Sequence, residues 1–286
     1  MEGEALPALV DVLMITYNSP AHVRLSLPHL LSTADEHTRV WLWHNGDDEE
    51  TLEAVREHRD DPRVHRFHHS RENVRLTAPT NWLWSQADGD LVSKVDDDCL
   101  PERGWIERLR AAHAANPGFG AIGSWRFRDE DFVPRLAERK IAEFAGGVSL
   151  LRNHWVQGSG YLLPRAWVER GGPLGQGQSF PAYCIGLARR GAVNGWLFPF
   201  VREENLDDPR SPHTLFTSDE DFLRRMPLTA QALGIRTVAD WARQEHESAI
   251  AVQRASLDLR RYSGWRAKLD HARKRVARAV RGRGGW

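Results

Sequence analysis

The chain alternates short apolar runs with stretches whose apolar positions recur at helical spacing. Val10 to Ile15 (VDVLMI) has the length and branching of a buried strand. It ends in the polar Thr16-Tyr17-Asn18-Ser19-Pro20, after which Val23, Leu27, Leu30 and Leu31 share one helical face. Pro28 falls inside that helix and predicts a kink. Val40 to Trp43 (VWLW) reads as a second strand, and Asn45-Gly46-Asp47-Asp48 as the turn into a helix beginning near Glu49. Arg63 to Phe67 supplies a third short strand. Asn81 to Gln86 ends a helix stopped by Asp88-Gly89-Asp90, and Leu91 to Val95 is a strand running straight into Asp96-Asp97-Asp98. Strands alternating with helices predict an α/β, mostly parallel, doubly wound sheet. Ligands of such sheets bind beyond the carboxyl ends of the strands. Three polar clusters fall at those ends: Thr16 to Asn18, His44 to Asp47, and Asp96 to Asp98.

The second half is less regular. Gly158-Ser159-Gly160 precedes a strand-like Tyr161-Leu162-Leu163, and Ala182 to Arg190 reads as a helix closed by Gly191. Gly195 to Val201 (GWLFPFV) is a strand leading into a polar loop, Arg202 to Pro212, and from Ser218 onward the pattern is helical.

Composition changes this picture little, except at the end of the chain. With 286 residues, 41% hydrophobic and 27% charged, the chain is long enough for a substantial core. The formal net charge is zero, which gives no support to nucleic-acid binding. From Arg254 to Trp286, however, 11 Lys and Arg face two acids, leaving 28 basic and 37 acidic residues before that point. An acidic body thus carries a basic tail. On a helix, Trp265, Leu269, Ala272, Val276 and Val280 share a face that Arg266, Arg273, Lys274, Arg278 and Arg281 surround or oppose. That pattern suits peripheral contact with an anionic membrane surface, and equally a helix docked on the body or a solvated tail. Cys99 and Cys184 form no metal-ligand pattern, the N-terminal MEGEALPALV is acidic, and no apolar run approaches the ~20 residues of a membrane span. The expected location is cytoplasmic.

The sharpest chemical feature is VSKVDDDCLP. Three adjacent carboxylates at a strand end repel one another, and a hard divalent cation held through oxygen, Mn²⁺ or Mg²⁺, accounts for them. An acidic turn capping the helix that starts near Pro101 is the plainer account.

Taken in order, VDVLMITYN, VWLWHNG and ENVRLTAPTNWLWSQADGDLVSKVDDDCLP resemble the nucleotide-binding half of family-2 GT-A glycosyltransferases. GSGYLLPRAWVERGG resembles that family's Gly-rich acceptor segment, so the resemblance covers roughly residues 10 to 200. It implies a GT-A fold with a nucleotide-sugar-binding half at 8–98, an acceptor-binding half at 99–215 and a helical C-terminal extension at 216–286. Thr16, Tyr17 and Asn18 are then expected at the base and ribose, Asn45 and Gly46 in the second base-contacting turn, and Arg71, Asn73 and Asn81 in the segment reaching the nucleotide from the third strand. Asp96 and Asp98 are the outer acids of an Asp-x-Asp element. The resemblance implies Asp98 as the direct metal ligand, Asp96 as a ribose or water-mediated metal contact, and Asp97 with them at the nucleotide. His213 is expected as a further metal ligand, and Trp155, Gly158 and Ser159 at the acceptor. The implied activity is metal-dependent, inverting hexosyl transfer from a nucleotide sugar, UDP-linked ahead of GDP- or dTDP-linked, to a glycan, lipid-linked or small-molecule acceptor.

This chain departs from the family pattern in three places. His44 stands where the second turn usually has Asp, and Pro79-Thr80-Asn81 replaces Ala-Arg-Asn. Gln178-Ser179-Phe180-Pro181 stands where a Glu-Asp pair usually supplies the base. A proton acceptor is still needed, and Asp208 or Asp207, in the loop after GWLFPFV, is expected to provide it. Asp219-Glu220-Asp221 behind Ser218 instead has the look of a capped helix start. The missing pair keeps open a second reading, a GT-A-like protein that binds a nucleotide sugar or glycan and transfers nothing. A nucleotidyltransferase would need a Gly-rich loop after the first strand, where ITYNSP has none. A haloacid-dehalogenase-type phosphatase would carry its Asp pair there.

Overall fold

A computed structural model describes residues 7–262. The predicted basic helix after Tyr262, with its membrane-facing pattern, lies outside the described residues.

Within these limits the chain forms two compact units, residues 7–126 with 138–204, and residues 127–137 with 205–262. The first unit is built on eleven short strands in chain order: β1 Val10–Thr16, β2 Thr38–Asn45, β3 Val64–Ser70, β4 Leu91–Asp96, β5 Cys99–Pro101, β6 Phe119–Gly123, β7 Ile141–Glu143, β8 Ser149–Asn153, β9 Tyr161–Pro164, β10 Val193–Phe198 and β11 Glu203–Asn205. Nine make one sheet in the order β3-β2-β1-β4-β9-β6-β10-β8-β7, and β5 pairs with β11. β3, β2, β1 and β4 are mutually parallel, as are β6 and β10. β9 runs antiparallel between β4 and β6, and β8 and β7 close the far edge antiparallel. The result is the mixed, mostly parallel sheet with flanking helices of a GT-A fold.

β1 is buried along its whole length because strands pair with it on both sides. Val10, Val12 and Met14 pack with Val23, Leu27, Leu30 and Leu31 of the helix Pro20–Thr33. Each such side chain fully withdrawn from water contributes roughly 1.5–3 kcal/mol. Pro28 does lie inside this helix, which continues past it to Thr33. β2 extends beyond the apolar VWLW because parallel neighbours on both sides hold its polar ends, pairing His44 with Thr16 and Asn45 with Ser70. The helix expected from Ala182 starts earlier, at Phe180, where the Ser179 hydroxyl accepts from Ala182 N–H. β6 (FGAIG) escapes a pattern search because its two glycines weaken the strand signal, and tertiary pairing supplies what propensity lacks.

β8 and β9 point the same way with β10 and β6 between them, so the link from Asn153 to Tyr161 runs from one end of the strands to the other. It is tied along its course. Asn194 Nδ2 donates to His154 O at 2.9 Å, Gln157 Nε2 to Ser124 O at 2.6 Å, and Trp196 Nε1 to Gln157 Oε1 at 2.7 Å.

The second unit is helical. Ser218 caps Asp219–Arg225 by accepting from Asp221 N–H, as the sequence suggests, and the helices Pro227–Leu233 and Val238–Arg254 follow. Phe216, Phe222, Ala230, Ile235 and Trp241 form its core.

Candidate functional site

Because β1, β2 and β4 are parallel and in register, their polar ends arrive together. Thr16 stands opposite His44, and Ile15 opposite Asp96. Thr16 is fully buried, its hydroxyl 3.0 Å from His44 Nδ1. Burial, then the neighbouring His69, lowers the His44 pKa, so the ring is neutral near pH 7. Tyr17 is 45% exposed, and its ring lies close over Gly46, where an added Cβ would meet it at 3.2 Å. Asn18 takes a left-handed φ of 46°, which an Asn side chain tolerates.

Ser19 precedes the helix Pro20–Thr33, but its hydroxyl makes no cap bond and donates instead to Asp97 Oδ2 at 2.5 Å. Tyr17 N–H donates to the same oxygen at 3.2 Å. The turn after β1 and the triplet after β4 are therefore stitched through Asp97. Asp96 pairs with Lys94, and its backbone N–H donates to Ser159 Oγ at 3.0 Å. Asp98 Oδ1 lies 3.4 Å from Cys99 Sγ. Beside them is a carboxylate that sequence reasoning missed. Glu203, 2% exposed, accepts from Ser159 Oγ through Oε1 at 2.6 Å, while Oε2 has no hydrogen-bond partner.

The electrostatics of this cluster are unbalanced. Asp96, Asp97, Asp98 and Glu203 carry four potential negative charges, and Lys94 and Arg126 are the cations acting on Asp96. Burial, with Asp98 next, pushes Asp97 up to about 7. Burial also pushes Glu203 up to about 8, opposed by the Ser159 hydrogen bond and reinforced by Asp96 and Asp98. Asp96 is raised by burial too, although Lys94 counters it. The acids outnumber the cations acting on Asp96, and burial meets part of that excess by holding Asp97 and Glu203 towards their neutral forms. Among the described residues no three His, Cys, Asp or Glu side chains form a ready metal cage. One or two carboxylates completed by substrate phosphates is the usual arrangement for Mg²⁺. The donor set fits a metal of that kind at Asp98 and Asp96.

The other expected nucleotide contacts hold up loops. Asn45, 2% exposed, donates through Nδ2 to Asn73 Oδ1 at 2.9 Å and accepts from Val74 N–H at 2.9 Å. Asn81 exchanges two hydrogen bonds with the Leu174 backbone, at 3.0 and 2.8 Å. Arg71 is exposed. Of the acceptor residues, Trp155 packs edge-on against Trp196 with ring centroids 5.8 Å apart. Gly158 lies beside Lys94, and Ser159 joins Asp96 to Glu203.

Asp207, Asp208 and His213 belong to the second unit. Asp208 is 2% exposed, and Arg210 takes both its oxygens, Nε to Oδ1 at 2.9 Å and Nη2 to Oδ2 at 2.7 Å. The same guanidinium holds Asp131 through two contacts of 2.8 Å, and His246 Nδ1 lies 2.8 Å from Asp131 Oδ1. Accepting a proton at Asp208 would break this arrangement, which weighs against it as the free base expected from sequence. Asp207 accepts Trp241 Nε1 on its backbone oxygen at 2.7 Å, and His213 is exposed.

Comparison with solved structures agrees with the architecture. A mannosyltransferase from Pyrobaculum calidifontis, in complex with GDP-Man and Mn²⁺, superposes with a TM-score of 0.59 at 18% identity, covering 96% of this chain and 81% of that one. The 1–349 portion of TarS from S. aureus gives 0.55 at 15%, covering 86% and 70%. Its complex with UDP-GlcNAc gives 0.55 at 14%, covering 85% and 70%. No curated protein sequence matches the chain significantly. Residues 11–170 match the family "Glycosyl transferase family 2", more than half of the chain and the whole of the strand-end site up to Ser159. The chain belongs to glycosyl transferase family 2.

Proposed function

We propose that this glycosyltransferase is metal-dependent, moving a hexosyl group with inversion from a nucleotide-sugar donor, UDP-linked ahead of GDP- or dTDP-linked, to a glycan, lipid-linked or small-molecule acceptor. The observation that carries the reading is the surplus of carboxylates where β1, β2 and β4 end together. Solved relatives of the same fold hold GDP-Man with Mn²⁺ in one case and UDP-GlcNAc in another, which supports a nucleotide sugar as donor.

Asp98 and Asp96 would hold Mn²⁺ or Mg²⁺, which when bound supplies a Lewis acid for the departing diphosphate. Tyr17 offers an exposed ring beside Gly46 for the base. His44, held neutral by burial, adds no positive charge beside the Thr16 hydroxyl, which favours a base recognised through hydrogen bonds and stacking. Lys94, buried and paired with Asp96 beside Gly158, sets a positive charge against the aspartate triplet. The protein is read as cytoplasmic with peripheral membrane contact; among the described residues no helix is long and apolar enough to cross a membrane.

One observation favours the binding-only alternative. Ser179, Phe180 and Pro181 start the helix where the family's acidic pair is expected. Both readings meet one experiment. UDP-, GDP- and dTDP-sugars are screened for Mn²⁺-dependent thermal stabilisation, and the donors that stabilise are then tested for turnover with glycan and lipid-linked acceptors. Stabilisation with turnover supports the transferase, stabilisation without turnover supports the binding protein, and no stabilisation by any donor defeats the transferase and leaves glycan binding as the alternative.

A further inference from the structure

Glu203 is nearly inaccessible, yet it is not an ordinary core residue. A buried polar oxygen without a partner is costly, and a Leu or Met would fill the same volume without that cost. Its surroundings show what the carboxyl group is used for. Oε1 accepts from Ser159 Oγ at 2.6 Å, and that oxygen in turn accepts from the Asp96 backbone N–H at 3.0 Å. The side chain is seated against the bare backbone of Gly160, where a Cβ would lie 2.6 Å from Oε1 and 2.7 Å from Oε2. Gly160 is itself held between β4 and the end of β6, donating to Lys94 O at 2.9 Å and accepting from Ser124 N–H at 2.7 Å. Glu203 begins β11, which pairs with β5, the strand immediately after the aspartate triplet. Its own N–H donates to Trp125 O at 3.1 Å.

The triplet is therefore gripped on both sides. Before it, the Asp96 amide is held by Ser159, and behind it, Cys99–Pro101 is held by the strand that carries Glu203. We propose that Glu203 is a positioning residue of the donor site, fixing through Ser159 the backbone at Asp96 and so the placement of the aspartate carboxylates for a metal-bound nucleoside diphosphate. The inference rests on the donor-site reading of the triplet. Enclosure of Glu203 means that it acts through Ser159 rather than on the substrate. Groups that hold a metal ligand in place typically change metal affinity 10- to 100-fold when removed.

Glu203→Gln keeps the side-chain length and an oxygen that accepts from Ser159, whereas Glu203→Ala and Ser159→Ala break the link. The measurement is titration calorimetry of the full chain with Mn²⁺ plus UDP and with Mn²⁺ plus GDP, alongside each variant's melting curve. Glu203→Gln is expected within about 3-fold of wild type, while the two alanine variants weaken Mn²⁺–nucleotide binding at least ~10-fold although folded. Should Glu203→Ala fail to fold, Ser159→Ala, which removes a single oxygen, decides the matter. Wild-type affinity in a folded alanine variant overturns the inference. So does a Glu203→Gln variant as weak as Glu203→Ala, because the charge rather than the position would then matter. If the wild type binds neither nucleotide with Mn²⁺, the donor-site reading itself fails and takes this inference with it.

Discussion

Two clusters of acids, one from each unit, differ in how burial and partners act on them. At the end of β4, Asp96, Asp97, Asp98 and Glu203 crowd around Lys94 and Arg126, and Asp97 and Glu203 are driven towards their neutral forms. In the helical unit, Asp131 and Asp208 share Arg210, and His246 completes the shell of Asp131. Burial opposes the charge on Asp131 as well. The hydrogen bonds from Arg210 and His246 and the charge of Arg210 outweigh it, and the pKa is lowered. The same residue type is thus pushed towards its neutral form in one place and held ionised by hydrogen bonds and a shared guanidinium in the other. A matched cluster supports a fold. A cluster short of positive charge is suited to receiving a cation from solution.

The largest effect should come from breaking the matched cluster. Asp131→Ala removes a fully buried carboxylate from half-buried Arg210 and should cost about 3–5 kcal/mol of stability, read by thermal or denaturant unfolding. A loss below about 1 kcal/mol would mean that Arg210 relaxes to solvent and that the contrast with the first unit is overstated.

Asp98→Ala should do the opposite. The fold survives while Mn²⁺-dependent donor binding and turnover fall by about 10²-fold or more, equivalent to ~2.7 kcal/mol. Unchanged affinity for nucleotide with Mn²⁺ would remove Asp98 from the metal site. A smaller effect is expected at Gly160, whose φ of 59° and contact with Glu203 forbid a side chain. Gly160→Ala should cost about 1–2 kcal/mol from the left-handed backbone alone, with Mn²⁺–nucleotide affinity reduced as Glu203 is displaced. Full stability and full affinity together would contradict the geometry.

The pH response should separate the two clusters by sign. Asp97 holds its proton up to about 7 in the folded chain, whereas an unfolded Asp releases it near ~4. Between those values the folded state binds more protons, so this group's contribution falls as pH rises. Asp131, with its pKa lowered, contributes stability above ~4 and loses it as the pH falls through its folded value. In EDTA, Asp97→Asn should therefore raise the melting temperature more at pH 7 than at pH 5. Asp131→Asn should flatten the decline below pH ~4. The reverse ordering would undo the assignment. The smallest effect belongs to the exposed pair of Arg243 and Asp240, 2.9 Å apart on one helix. Arg243→Ala should change stability by only ~0.3 kcal/mol, which calibrates how much of the Asp131 effect comes from burial.

The strand ends of the first unit were legible because each apolar run stops at a polar cluster, and parallel pairing makes such clusters meet. The cap at Ser218 was legible for a local reason, an acceptor placed before acids at a helix start. Glu203 was not. In VREEN it reads as part of a polar loop after a strand, and only the return of the chain to pair with β5 buries it. Ser159 was singled out for the acceptor, yet its contact with Asp96 spans 63 positions that no local pattern encodes. The amides of Asn45 and Asn81, assigned to the nucleotide by motif, meet loop backbone that a sequence does not reveal. Asp208 illustrates both cases. Its contact with Arg210 is two residues away and visible in Asp-Pro-Arg, whereas the contact of Arg210 with Asp131 crosses 79 positions.

The tied link between Asn153 and Tyr161 sets a length as well as a path. Its start is fixed where Asn194 holds His154, its middle where Gln157 meets Ser124 and Trp196, and its finish where Gly160 meets Lys94. Such a segment measures the sheet it crosses. Removing one residue shortens an extended chain by roughly 3.5 Å, more than a hydrogen bond can stretch, so Ser159 would lose either Asp96 or Glu203. Loops that merely join elements absorb insertions and deletions freely, but this one has a required residue count. Chains that keep the Asp96–Ser159–Glu203 linkage should therefore vary in length elsewhere before they vary here.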